Sequence, residues 1–85
     1  MTSKELLIVL KSAGYEPRPY TFSDDVSSSC IAIDTSETSL EVMGKLSKQG
    51  PDMSNVAIRM PKRGGIIAFP DYRYERSWLA VCLTE

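Results

Sequence analysis

A chain of 85 residues with 42% hydrophobic and 25% charged side chains is long enough for one core. It buries roughly 60–65% of its unfolded surface and is too apolar to stay disordered. Its formal net charge of −1 gives the molecule no overall field toward nucleic acid or an anionic membrane, so any electrostatic function must be local.

Thr2-Ser3-Lys4-Glu5 has capping-box spacing, a hydroxyl at the N-cap with a carboxylate three residues on. Leu6, Val9, Leu10 and Ala13 then follow the i, i+3, i+4, i+7 rule, and Gly14 is a left-handed stop. A helix over Ser3–Ala13 is predicted. The longest apolar run, Leu6–Leu10, is far below the ~18–20 residues needed to span a bilayer. No small-residue cleavage site follows it, so it does not read as a signal peptide.

The stretch Ser3–Glu16 resembles the first helix of HicA-type ribonuclease toxins, over about a sixth of the chain. The resemblance implies a catalytic histidine in the segment that follows. Arg18-Pro19-Tyr20-Thr21 stands there instead, and the chain has no histidine, so the activity is not carried over.

Pro17 and Pro19 exclude helix and keep their segment out of a central strand. Tyr20-Thr21-Phe22 alternates and reads as a short edge strand. Asp24, Asp25 and Ser27–Ser29 are polar turn chemistry. Cys30–Ile33 is a continuous apolar strand covered on both faces. Thr38-Ser39-Leu40-Glu41 repeats the capping box and opens a second helix with Leu40, Met43 and Leu46 as its buried stripe, ended by Gly50-Pro51. Gly44 inside it costs up to ~1 kcal/mol relative to Ala unless it admits a close neighbour. Three strands follow: Val56–Met60, Ile66–Phe69 and Trp78–Leu83. In the last, Trp78, Ala80 and Cys82 share one face and Leu79, Val81 and Leu83 the other, which suits a central strand or a dimer contact. The fold class is α+β, a single domain in the order α-β-β-α-β-β-β, with two helices packed on one face of a mostly antiparallel sheet.

Cys30 and Cys82 lie far apart, lack zinc or CxxC spacing and sit in apolar runs. That is the pattern of buried free thiols in a reducing, cytoplasmic compartment.

The absence of histidine removes the commonest general base and the commonest metal ligand together. No serine sits in a G-x-S-x-G elbow. Asp24-Asp25 reads as a solvated turn, and Asp34 through Glu37 as the polar approach to a helix N-terminus. Gly64-Gly65 reads as a tight turn rather than a phosphate loop. Neither cofactor nor metal is expected.

One segment suggests a binding surface. Five of the ten basic residues lie between Arg59 and Arg76. Val56–Met60 and Ile66–Phe69 read as a hairpin with Lys62 and Arg63 at its tip, and Arg59 alternates with Ile58 and Met60 to face away from the core. Tyr72, Arg73, Tyr74 and Arg76 interleave aromatic and guanidinium groups in the next connection. Such a mixture suits a protein interface, where Tyr and Arg dominate hot spots, or phosphate contact with base stacking. It also serves simply to keep edge strands soluble.

The expectation is a non-enzymatic protein-binding module, monomeric or homodimeric, acting on a host protein or nucleoprotein complex by stoichiometric occupancy. In size and character it compares with phage and mobile-element inhibitors, including anti-CRISPR proteins. Direct nucleic-acid binding is expected to be weak and salt-fragile. The alternative is a metal-independent ribonuclease or RNA-binding toxin-like protein using Arg59, Lys62, Arg63, Tyr72, Arg73 and Tyr74.

Overall fold

The computed structural model describes residues 1–22, 25–60, 67–68, 73–74 and 77–84, those at 25–28, 67–68 and 73–74 through their backbone alone. In chain order the elements are α1 (Ser3–Ser12), β1 (Arg18–Phe22), β2 (Asp25–Asp34), α2 (Ser39–Ser47), β3 (Val56–Arg59), β4 (Ile67–Ala68), β5 (Arg73–Tyr74) and β6 (Trp78–Leu83). The fold is α+β. It matches the expected order but for the two-residue β5.

Both helices start as their sequences require. In α1 the Glu5 amide donates to Thr2 Oγ1 at 3.2 Å and Glu5 Oε1 accepts from the Thr2 amide at 3.3 Å. Thr38 and Glu41 repeat the arrangement in α2 at 3.2 and 3.4 Å. Each box satisfies two amides that would otherwise lack an intrahelical acceptor. Gly14, at φ +94°, turns the chain out of α1 as a left-handed residue. No helix of the described residues is long and apolar enough to cross a membrane.

Four strands form one antiparallel sheet in the order β1-β2-β6-β3. β6 is apolar at every position, so it can be satisfied only at the centre. It sits between β2 and β3, which are joined through α2. On one face, Leu6 and Leu10 of α1 and Val42 and Leu46 of α2 bury against Ile31, Ile33, Leu79 and Val81. Each such side chain contributes about 1.5–3 kcal/mol when withdrawn from water. The other face is floored by small residues, Cys30, Ala32, Ala80 and Cys82, with Trp78 buried at one end. Tyr20 packs edge-on to both Trp78 and Phe22, with ring centroids 5.0 and 4.9 Å apart. The two-faced pattern of Trp78–Leu83 is therefore a central strand, and Trp78 belongs to the core of a single chain.

The α2 stripe differs from expectation. Val42 and Leu46 are buried, whereas Leu40 is 81% exposed. Leu40 and Leu46 are six residues apart, so they point about 120° away from each other and cannot share a face. Val42 and Leu46, four apart, can.

Asp25–Ser29 also departs from its turn chemistry. It extends β2, and Phe22 pairs directly with Asp25. Pairing with a neighbouring strand overrides the turn preference of Asp and Ser here. A third correction concerns the hairpin expected between Val56–Met60 and Ile66–Phe69. β3 instead pairs with β6, while β4 pairs with β5 as a separate two-stranded sheet. The bare Ile58 face of β3 completes the core beside Val81, and that burial outweighs a local turn.

Cys30 and Cys82 are buried as expected but are not separate thiols: they form a disulfide. The register explains the meeting. The Thr35 amide donates to the Ser77 carbonyl at 3.2 Å, so the alternation of an antiparallel ladder makes Ile33–Leu79 and Ile31–Val81 hydrogen-bonded pairs. Cys30–Cys82 then falls at a non-hydrogen-bonded position, where side chains approach most closely. Their Cα atoms are 4.1 Å apart.

Two outcomes follow for stability. A Cβ built on Gly44 meets nothing within 4 Å, so Gly44→Ala should stabilise by about 0.5–1 kcal/mol in urea melts, through helix propensity alone. The disulfide spans 52 residues of sequence; adding a dithiol reductant should lower unfolding free energy by about 2–4 kcal/mol. An unchanged urea midpoint would mean that the bond contributes nothing.

Candidate functional site

The predicted basic residues fall on different elements. Arg59 ends β3 opposite Ala80, and hence on the disulfide face of the sheet. It is half-buried, and its guanidinium carbon lies 3.9 Å from the centroid of the Phe22 ring. Arg59 and Phe22 come from the two edge strands, so the arginine crosses the small-residue floor between them. Such a contact contributes roughly 0.5–2 kcal/mol, depending on desolvation. Arg59 does face away from the helices, yet it is engaged within the fold rather than held out to solvent. Arg73 and Tyr74 form β5, opposite Ala68 and Ile67. Lys62, Arg63, Tyr72 and Arg76 lie outside the described residues.

A second constellation was not anticipated from sequence. Glu37, in the loop between β2 and α2, accepts from the Tyr15 hydroxyl at 2.7 Å and the Thr35 hydroxyl at 3.1 Å through Oε1. Its Oε2 meets Lys45 Nζ at 2.6 Å. Lys45 also lies 5.7 Å from the centre of the Tyr15 ring. Thr35 is buried, and its Oγ1 accepts from the Glu37 amide at 3.1 Å, folding the loop back on itself. One carboxylate thus gathers the chain after α1, the exit of β2 and the body of α2.

The electrostatics decide what this cluster can do. The hydrogen bond from Lys45, then that from Tyr15, holds the Glu37 carboxyl below the usual carboxylate range. Burial, with the Glu37 hydrogen bond and charge behind it, pushes the Tyr15 phenol well above its ordinary value. A base that resists protonation beside an acid that resists ionisation is poorly matched to proton transfer near neutral pH. The arrangement suits a clamp.

Two clefts flank it. A polar one of about 430 Å³ opens between Gly14, Asp34 and Lys45. A more apolar one of about 340 Å³ lies toward Met60, Ser77, Trp78 and Leu79, and Thr35–Glu37 form the wall between them. Among the described residues no three His, Cys, Asp or Glu side chains converge as a metal site would require. Tyr15 precedes Glu37 by 22 residues, a distance at which no local pattern signals contact.

Searches among known protein families, curated proteins and solved structures return no match to this chain. The likeness of Ser3–Glu16 to HicA-type toxins therefore stays a likeness of one helix.

The clamp has a pH signature. Because the folded Glu37 carboxyl titrates below its free value of 4.5, the unfolded chain binds the proton more readily. Its contribution is present above that pH and lost as pH falls through the folded value. Asp52, held low by the Ser54 amide, adds to the same acid limb. Urea midpoints measured across the acid range should therefore fall less steeply for Glu37→Gln than for the parent, with Asp52→Asn as the comparison. Parallel curves for the parent and Glu37→Gln would contradict the clamp.

Proposed function

We propose that the chain is a non-enzymatic protein-binding module that acts by occupying a site on a larger host protein or nucleoprotein complex. The observation behind this reading is the concentration of half its basic side chains between Arg59 and Arg76, interleaved with Tyr72 and Tyr74. The partner surface proposed is Lys62, Arg63, Tyr72, Arg73, Tyr74 and Arg76, with Arg59 supporting it from its stacked position on Phe22. Tyr and Arg supply large contact area and directed hydrogen bonds at little entropic cost. A domain of this size can present ~800 Å² to one partner, enough for a stable interface without turnover.

The polar chemistry of the described residues favours this over the ribonuclease reading. Transition-state stabilisation by Arg and Lys still needs an acid–base group of suitable pKa. Among the described residues, the tyrosine whose hydroxyl meets a carboxylate is Tyr15, and it is tuned the wrong way. A phage or mobile-element inhibitor, of the kind that includes anti-CRISPR proteins, is the class of protein such a module would belong to. The setting proposed is the cytoplasm.

The decisive experiment pairs charge reversal with titration. A pull-down from the native host identifies the partner, and the partner's activity is then titrated with pure protein. Inhibition should grow linearly to one equivalent and stop. Lys62→Glu with Arg63→Glu should abolish it while shifting stability by no more than ~0.5 kcal/mol. Activity lost far below one equivalent and growing with time would replace occupancy with turnover. RNA cleavage that vanishes on changing Arg73 or Tyr74 would select the ribonuclease.

A further inference from the structure

We propose that two copies of this chain pair through the outer edge of β3, joining their four-stranded sheets across a two-fold axis. The inference stands apart from the identity of any host partner. It begins with the unequal state of the sheet's two edges. β1 is blunted: Pro19 has no N–H to offer, and the pairing shifts register between Tyr20 and Phe22. β3 has neither device, and among the described residues no strand pairs with its outer side.

The direction of each backbone group on β3 follows from the ladder. The Thr84 amide donates to the Asn55 carbonyl at 2.7 Å, so Ala57 and Arg59 spend their hydrogen bonds on β6. Val56 and Ile58 point theirs outward. The Val56 amide is taken by the Met53 carbonyl at 3.1 Å. Among the described residues, what remains is the Val56 carbonyl, both groups of Ile58 and the amide of Met60. That set is self-complementary about Ile58. In an antiparallel two-fold pair, Ile58 exchanges both bonds with Ile58 of the second copy. Each Val56 carbonyl accepts from the Met60 amide opposite.

The side chains agree with this register. Met60 is 71% exposed and lines the cleft on the helix side with Leu79. The pairing lays it over the half-buried Val56 of the other copy, so Val56, Ile58 and Met60 extend the apolar layer across the axis. On the opposite face each Arg59 meets Ala57, and no like charges stand across from each other. With β1 blunted, the four-stranded sheet offers one unblunted edge among the described residues, so association through it closes as a pair.

The test uses the full chain in oxidising buffer. Sedimentation from micromolar to several hundred micromolar should reveal a species of twice the monomer mass, and amide exchange at Ile58 should slow as concentration rises. Ile58→Pro deletes the outward N–H without removing a bond to β6 and should be monomeric. Ile58→Ala, which keeps the N–H, should still pair. Met60→Asp, which sets a carboxylate against Val56 of the other copy, should weaken dimerisation roughly tenfold, whereas Met60→Leu should not. A species monomeric at every concentration overturns the proposal, as expected if this edge instead receives an extended peptide from another protein. A dimer unaffected by Ile58→Pro, with concentration-independent exchange at Ile58, overturns it equally. Should Ile58→Pro fail to fold, equal dimerisation of Met60→Asp and Met60→Leu serves as the refuting result.

Discussion

The two-sided burial of β6 is the constraint from which the rest of the structure follows. Leu79 and Val81 point to the helices, while Trp78, Ala80 and Cys82 point to the opposite face. A strand of that kind has no position at an edge, where one row of hydrogen bonds and much of both faces would meet water. Placing it at the centre forces β2 and β3 apart and makes the connection through α2 step over it. The helix layer then forms because Ile31, Ile33, Leu79 and Val81 must be covered, and the capped amphipathic helices are the elements available to cover them. The opposite face solves the same problem with small side chains, a disulfide and a cluster of aromatic rings.

Much of this architecture was legible in the residues. Capping boxes at Thr2 and Thr38, the Gly14 stop, the edge character enforced by Pro19 and the face assignment along Trp78–Leu83 all follow from local rules, and the structure obeys them. What local rules missed depends on pairing between strands, near or far in sequence. Asp25–Ser29 looks like a turn until β1 is laid beside it. β3 looks like half of a tight hairpin until β6 arrives to claim it. Leu40 falls off the buried stripe for a different reason, since each step of three drifts about 60° around a helix in one direction, whereas a step of four drifts only about 40°. The cysteines illustrate the same limit, because their meeting is a statement about register between strands 52 residues apart.

The candidate site divides in the same way. The cationic and aromatic composition of Arg59–Arg76 is visible in the sequence, but the stacking of Arg59 on Phe22 is a tertiary fact, and it changes what that arginine can offer a partner. The Glu37 cluster had no sequence signal. Its components are three ordinary surface residue types and a threonine, brought together by the packing of α1 and α2 on the sheet. Reading perturbed ionisation as a mark of catalysis would mislead here, since both Tyr15 and Glu37 are driven away from neutrality rather than toward it. Ion-pair networks that hold loops produce such shifts as readily as active sites do.

The central strand is also the last of the sheet's four strands in chain order. During synthesis β1 and β2 can pair as soon as both have emerged, because their contact is local. β3 must wait with an unfilled gap beside it until β6 is released. Closure of loops this long is slow compared with hairpin formation. The nascent chain therefore passes through a stage in which the inner edges of β2 and β3 are both exposed, each a template for pairing with the wrong strand. The capped helices and the β1–β2 hairpin are elements able to form in that interval. A topology that gives the finished protein its most protected strand thus gives the unfinished one its most vulnerable moment.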